Sequence, residues 1–232
     1  MAWRESAKER AAFEAVKLVR DSYVLGIGAG STVTYAVREI GRRIKEEHLR
    51  VMAIPSSNQI LQLAEECGIP LTTLNEHPSL DLDIDGADQI DKNLDLIKGM
   101  GGALTKEKIV ASASKAFVIV ADETKLTDVL GRNQPLPVEV LPFALPLVSS
   151  TIETLGGQPS LKKSKDGSGP FVTDNGNYIL NVDFGIIKNP YKLDRTLKII
   201  HGVIETGLFL GMVDMAIVGT ETGVKVFRKK QK

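Results

Sequence analysis

The stretch Tyr23-Val-Leu-Gly-Ile-Gly-Ala-Gly-Ser-Thr32 decides the fold. Its first half, Tyr23 to Ile27, reads as a short buried strand, Gly26 to Thr32 is a glycine-rich turn, and a helical pattern continues to about Glu47. Upstream, Ala12, Ala15, Val16 and Val19 recur at helical spacing within residues 5 to 19. Downstream come a strand (Val51 to Ile54), a helix (Ser57 to Cys67), and two further strands (Pro70 to Leu74 and Leu80 to Ile84). This alternation predicts a parallel sheet covered by helices. Ligands of such sheets bind beyond the carboxyl ends of the strands, so function is expected at the strand-to-loop junctions.

After a strand at Ala116 to Val120 the pattern changes. Pro135, Pro137, Pro142 and Pro146 crowd one region, and a helix (Leu147 to Leu155) ends at Gly156-Gly157. Phe171 to Val182 reads as two strands about a turn at Asn175-Gly176, a dipeptide that tolerates positive φ. A helix near Leu193 to Ile200 follows, then strands at Met215 to Val218 and Val224 to Phe227. The expected organisation is an α/β parallel-sheet domain formed by residues 1–130 and 207–232, with a smaller α+β lobe, residues 131–206, inserted into it.

The 232 residues are 43% hydrophobic, enough for a sizeable core. With 29 basic and 29 acidic residues the net charge is zero, which argues for neither nucleic acid nor a membrane surface as partner. The one basic run, Arg228 to Lys232, reads as a solvated end. Cys67 is the single cysteine, so no intramolecular disulfide forms, and it is expected at the core or its boundary. Charges run through the first sixteen residues, and no apolar run of about 18 residues occurs, so a cytoplasmic protein is expected. His48, His77 and His201 are scattered without metal-ligand spacing, and no metal is expected.

A glycine loop entering a helix presents backbone N–H groups and the positive end of the helix dipole, which suits a phosphate, and Ser31 and Thr32 add hydroxyls. The dinucleotide pattern G-x-G-x-x-G fails because its third glycine falls on Ser31, and the second strand ends in Pro55-Ser56-Ser57 without a ribose-binding acid. No Gly-Lys-Ser/Thr follows for a nucleotide triphosphate loop. On this loop alone, a plain tight turn and helix cap is an equal reading.

Asp81-Leu-Asp-Ile-Asp-Gly86 opens like a calcium loop, but the required glutamate would fall on Lys92. The alternation instead fits a strand whose last acid, Asp85, emerges at its end. Gly86-Ala87 permits a tight turn that brings Asp85 and Asp88 to one cavity, where paired carboxylates bind hydroxyls and exchange protons. Asp81, Asp83, Asp91 and Asp95 read as solvated. Beyond a strand at Leu94 to Ile97, Lys98-Gly-Met-Gly-Gly102 supplies a cation and flexible backbone donors, and Glu107 lies one turn into the next helix. A carboxylate base with N–H or ammonium donors nearby is what an enediolate mechanism requires. Taken singly, Glu107 reads equally as a first-turn acid and Lys98 as a surface charge; four candidate pieces at four successive strand ends favour the catalytic reading.

The segments GIGAGST, DIDGADQID, KGMGGALTKEK, ADETK, LPVEVLPF and TDNGN, in order from about Lys8 to Lys225, closely resemble the type A ribose-5-phosphate isomerase family. The resemblance implies a Rossmann-like domain with an inserted α+β, ferredoxin-like lobe. It also implies interconversion of D-ribose 5-phosphate and D-ribulose 5-phosphate in the non-oxidative pentose phosphate pathway, without metal or nucleotide cofactor, by a homodimer or homotetramer whose lobe provides assembly contacts. Carried over by position, Glu107 is the proton-transferring base. Asp85 and Asp88, with Gly86 and Ala87, bind the sugar and assist ring opening, and Lys98 with Gly99, Met100 and Gly101 stabilises the enediolate. Ala29, Gly30, Ser31 and Thr32 form the binding loop, and Lys8 and Lys125 line the site near the phosphate.

The chain departs from the family pattern at Ala29, where a threonine is usual, at Met100 within a glycine run, at Gln89 in place of a glutamate, and at Ser56-Ser57-Asn58. An amide contact from Ala29 is expected to survive the lost hydroxyl, and Met100 is expected to narrow the cavity or restrict positive φ. Two rival classes are a sugar-phosphate-sensing regulator domain, which has no need of Glu107 and carries a basic helix-turn-helix segment, and an acyl-CoA transferase, which uses glutamate as a nucleophile.

Overall fold

The computed structural model describes residues 2–229, so Lys230 to Lys232 of the basic run lie outside the described residues. The chain begins with α1 (Ala2–Val16), β1 (Tyr23–Ile27), α2 (Ser31–Glu47), β2 (Val51–Pro55) and α3 (Asn58–Glu66). There follow β3 (Leu82–Asp85), two-residue strands β4 (Gln89–Ile90) and β5 (Leu96–Ile97), α4 (Leu104–Ala113) and β6 (Phe117–Asp122). The next stretch holds β7 (Leu136–Val140), α5 (Leu145–Thr154), β8 (Gln158–Leu161), β9 (Tyr178–Asp183) and α6 (Pro190–Lys198). The chain closes with β10 (Val203–Thr206), β11 (Leu208–Phe209), β12 (Met215–Gly219) and β13 (Val224–Arg228).

Two compact units result. Among the described residues the first comprises 2–87, 106–125 and 212–229; the second comprises Asp88–Thr105 and Leu126–Gly211. The first is a mixed α/β unit around a six-stranded sheet in the order β13-β12-β6-β3-β1-β2, parallel except for the antiparallel edge strand β13. Its inner strands β1, β3, β6 and β12 are almost wholly buried because both faces are covered. On one side Ala11, Ala12 and Ala15 of α1 and Val33, Val37 and Ile40 of α2 pack with Leu25, Ile27, Ile84, Val120 and Ile217. On the other, Val110 of α4 packs with Val24, Ile54 and Leu80. The small alanines let α1 approach closely; a Cβ on Gly219 would overlap the Ala7 carbonyl.

From β1 the chain crosses to β2 on one side and returns to β3 on the other. The strand order therefore reverses between β1 and β3, and at such a point the two departing loops leave an open crevice above the strand ends. Gly28 follows β1 and Asp85 ends β3, so both expected functional segments fall at the reversal.

The second unit holds a four-stranded antiparallel sheet, β10-β7-β9-β8, and a small sheet, β11-β5-β4. Val138, Val140, Leu180 and Val182 pack against Val148 and Ile152 of α5 and Leu197 of α6.

Several sequence expectations change here. Pro70 to Leu74 is not a strand: only Leu71 bridges Ala53, because the chain turns at Thr73, whose carbonyl accepts from the Glu76 and His77 amides. The expected first arm of the Asn175-Gly176 hairpin shrinks to one bridge, Val172 to Tyr178, although the turn and β9 form. β7, β8 and β10 were hidden from the periodicity by Pro137 and Pro159 and by their shortness. Pro159 lies on the edge strand β8, where a missing N–H is tolerated. The strand before Lys98 is only Leu96–Ile97, and it pairs antiparallel with β11 and β4 instead of continuing the parallel sheet.

Candidate active site

The first unit carries Lys8, Ala29 to Thr32, Asp85, Gly86, Ala87, Glu107 and Lys125; the second carries Asp88, Lys98, Gly99, Met100 and Gly101. Each set is built locally.

In the first unit the loop after β1 is pinned to the end of β3. The Gly28 amide donates to the Ile84 carbonyl at 3.0 Å, and Oδ1 of the fully buried Asp85 accepts the Ala29 amide at 3.1 Å and the Gly86 amide at 2.6 Å. Gly28 is obligatory, since a Cβ there would overlap the Asp85 carboxyl group. This corrects the expectation for Ala29: its amide is already taken by Asp85. The ligand-ready donors lie one step further on. Gly30, at φ 117°, is the N-cap of α2 and no side chain caps that helix, whereas Ser57 caps α3 through the Ile60 amide and Asn189 caps α6 through the Lys192 amide. The orphan N–H groups of a 17-residue helix thus remain at Ser31 and Thr32, with Ser31 exposed.

A helix dipole contributes only about 0.3–2 kcal/mol to an anion at its start. A full cation about 4 Å away contributes on the order of 4 kcal/mol at an intermediate effective dielectric. A lysine beside a phosphate held here would therefore contribute more than the helix dipole. Lys8 reaches this end of the unit through a chain of contacts. Its Nζ bonds Glu5 at 2.7 Å, and Glu5 accepts Tyr35 Oη of α2 at 2.9 Å, which holds the Glu5 carboxyl below its ordinary value, chiefly through Lys8. Farther along α1, Arg10 bonds the Thr220 carbonyl just beyond β12. Lys125 ends a 3-10 turn that begins directly after β6, half-buried, so it also lies at the carboxyl edge of the sheet.

Glu107 is 4% exposed. A helix leading into a parallel strand runs antiparallel to it, so the first turn of α4, with Glu107, lies at that same carboxyl edge. Val110, on the same helix face three residues later, lies against the position a Cβ of Gly26 would take, so Glu107 faces the β1 side. Ser56, at the end of β2, is fully buried, and its Oγ has no hydrogen-bond partner among the described residues.

In the second unit the loop Gly99 to Gly102 is fixed by a different aspartate. Oδ2 of Asp88 accepts the Met100 amide at 3.0 Å, and the Asp88 amide donates to the Ile97 carbonyl at 2.9 Å. Gly99 and Gly102 take the positive φ values, 100° and 93°. Met100 does not have positive φ, so the methionine is accommodated without backbone strain and the expected restriction does not arise. Lys98 is 2% exposed, with its ammonium 5.3 Å above the Phe209 ring, an aromatic face that suits a desolvated cation.

Three features of this unit have no role in the sequence reading. Glu139, fully buried on β7, accepts from Thr105 Oγ1 at 2.5 Å, Thr173 Oγ1 at 2.9 Å, Asn175 Nδ2 at 3.0 Å and Asn177 Nδ2 at 2.9 Å. The segments LPVEV and TDNGN are thereby one device: a buried carboxylate and its donors, tied to the threonine in the first turn of α4. The signal was a lone charge in an apolar strand. Gln89 uses both ends of its amide, accepting from the Gly131 amide at 2.9 Å and donating to the Arg132 carbonyl at 2.7 Å, which a glutamate carboxylate cannot do. Lys162 bonds the Met100 carbonyl and lies 4.2 Å from the Phe171 ring. Burial lowers its pKa, and the Asp88 carboxylate opposes that shift.

An α/β protein with an uncapped helix start at its strand-order reversal, a buried glutamate on the returning helix and a cation-flanked glycine loop belongs to the class equipped for proton transfer on a small phosphorylated molecule. Known proteins make this specific. The ribose 5-phosphate isomerase A (phosphoriboisomerase A) family profile matches residues 52–223. The chain is 46% identical to ribose-5-phosphate isomerase A of Methanothermobacter thermautotrophicus over 221 residues, which is 95% of this chain and 97% of that one. It superposes on the ribose 5-phosphate isomerase A structure of Methanocaldococcus jannaschii with a TM-score of 0.93 at 43% identity, covering 97% of this chain and 99% of that one. A D-ribose-5-phosphate isomerase structure in complex with phospho-erythronic acid gives a TM-score of 0.95 at 38% identity, with the same coverage. The chain belongs to the ribose 5-phosphate isomerase A family and is an enzyme of the isomerase class.

Proposed function

We propose that this enzyme interconverts D-ribose 5-phosphate and D-ribulose 5-phosphate through an enediolate, within the non-oxidative pentose phosphate pathway. The observation that carries the reading is the buried Glu107 at the carboxyl edge of a sheet whose neighbouring loop enters an uncapped helix. The amides and hydroxyls of Ser31 and Thr32, next to Gly30, take the phosphate with Lys125 and Lys8, the latter exchanging its Glu5 partner for the dianion. Asp85 and Asp88, besides ordering the loops, bind the sugar hydroxyls and assist ring opening. Glu107 removes the proton from C2 of the aldose and returns it to C1 of the enediolate, while the hydroxyl proton passes from O2 to O1 to leave the ketose carbonyl at C2; Lys98 with the loop Gly99 to Gly101 holds the developing oxyanion. No cofactor enters these steps.

The lobe 131–206 is proposed to make the contacts of a homodimer or homotetramer. Its support is a group of large apolar side chains left outside: Phe143 is 98% exposed, Ile199 78% and Leu147 57%. The partner is a small sugar phosphate in the cytoplasm, not a nucleic acid or a membrane; among the described residues no helix is long and apolar enough to cross a bilayer.

The deciding experiment supplies purified protein with ribose 5-phosphate, with and without a chelator, and follows ketose formation. The expected result is turnover that the chelator leaves unchanged. Absence of ketose with well-folded protein would overturn the reading.

A further inference from the structure

Lys162 lies outside every segment singled out in the sequence, in the run Leu161-Lys-Lys-Ser-Lys165 just past β8. Its main chain is fixed on both sides, with its amide donating to the Ile179 carbonyl at 2.9 Å and its carbonyl accepting the Phe171 amide at 2.8 Å. Its side chain passes over the Phe171 ring and ends on the Met100 carbonyl. Phe171 in turn fills the space beside Gly102, where a Cβ would overlap the ring. The loop Gly99 to Gly102 is therefore gripped at one residue from two directions: Asp88 takes the Met100 amide, and Lys162 takes the Met100 carbonyl.

A trans peptide is planar, with C=O and the following N–H pointing in opposite directions. Every described peptide here is trans, so fixing the Met100 carbonyl fixes the direction of the Gly101 N–H. That N–H has no acceptor among the described residues, Gly101 is exposed, and a Cβ built on it would meet nothing within 4 Å. It is a donor on an exposed residue, its direction set by a lysine that holds the other side of the same peptide.

We infer that Lys162 is a positioning residue for the isomerisation, holding the Met100–Gly101 peptide so that the Gly101 N–H meets the oxygen that becomes negative as the proton leaves carbon. A preorganised backbone donor of this kind acts where charge develops and contributes mainly to the transition state. A flexible glycine loop without the clamp would spend part of its time with that peptide turned, because glycine on either side of Met100 makes rotation easy. The Phe171 face helps hold the ammonium over the loop.

This rests on the proposed reaction, and the test separates the two. Wild-type enzyme, Lys162→Met and Lys162→Arg are compared for kcat and KM with ribose 5-phosphate, and for inhibition by phospho-erythronic acid. Methionine keeps the apolar stem and removes the donor; arginine restores a donor. The expected result is a kcat lowered roughly tenfold to a hundredfold in Lys162→Met, with KM little changed, weaker inhibition by the acid, and substantial recovery in Lys162→Arg. Wild-type kcat in a folded Lys162→Met overturns the inference and leaves the reaction standing. Loss confined to KM would make Lys162 a ground-state binding group and also overturns it. If Lys162→Met is poorly folded, Lys162→Arg decides alone: unfolding of both variants, with normal wild-type turnover, means a purely structural lysine.

Discussion

The two glycine loops are built alike, and the uses proposed for them differ. Each is pinned by an aspartate three residues from the other in sequence: Asp85 takes the Ala29 and Gly86 amides, and Asp88 takes the Met100 amide. The first loop, however, opens a 17-residue uncapped helix, so it offers a standing positive end. The second runs into α4 only at Leu104, three residues past Gly101; the Met100 carbonyl before the Gly101 amide is held by Lys162, and the buried Lys98 precedes the loop. A permanent dipole suits a permanent dianion, the phosphate. A single aimed donor suits charge that exists only in passing.

The proposed base, Glu107, lies on neither loop, and removing its carboxylate should leave both in place. Glu107→Gln is expected to lower kcat roughly 10²- to 10⁴-fold while sugar-phosphate binding and thermal melting are retained; turnover near the wild-type rate would move the base elsewhere. Next in size is Glu139→Ala, which acts only in the second unit. It strands the hydroxyls of Thr105 and Thr173 and the amides of Asn175 and Asn177, each at a cost of about 1–3 kcal/mol when water does not reach it. Urea unfolding should show a loss of about 3 kcal/mol or more, and a change under about 1 kcal/mol would mean that water replaces the carboxylate.

The smallest effect concerns the strand pair beneath the first loop. Asp81 accepts the Val24 amide and pairs with Lys115 at 2.7 Å, and these hold its carboxyl below its ordinary 3.8, Lys115 first. A depressed carboxyl stabilises the fold above its unfolded pKa and loses that contribution as pH falls through the folded value. Lys115 is largely exposed, so solvent screens the pair and its contribution is small. The stability gap between wild type and Asp81→Asn should therefore be present at neutral pH and close in acid below the ordinary carboxyl range. A gap that widens in acid would contradict the assignment.

The first loop was legible in the sequence because everything that shapes it is local: a strand, three glycines and a helix within ten residues, with Asp85 recognisable as a strand end. The second was legible as a loop but not as a device. Leu96–Ile97 is too short for a period, and its antiparallel partners are set by Leu208 and Phe209 far along the chain. Pro137 disguised β7, which sits inside its sheet between β9 and β10. Glu139 was visible as a charge among apolar residues, but its donors come from residues 34 to 38 positions away. Lys162 lies in a run that carries no motif, and its contact with Met100, 62 residues earlier, appears only in the fold.

The division of labour proposed for the two loops is tested most directly by one steady-state comparison. Ser31→Ala and Lys162→Met are assayed side by side on ribose 5-phosphate. A lost contact to a charged group, about 1.5–3 kcal/mol, should raise KM in Ser31→Ala by roughly ten- to a hundredfold with kcat near wild type. Lys162→Met should do the converse, lowering kcat with KM near wild type. Both substitutions moving the same parameter would contradict the account.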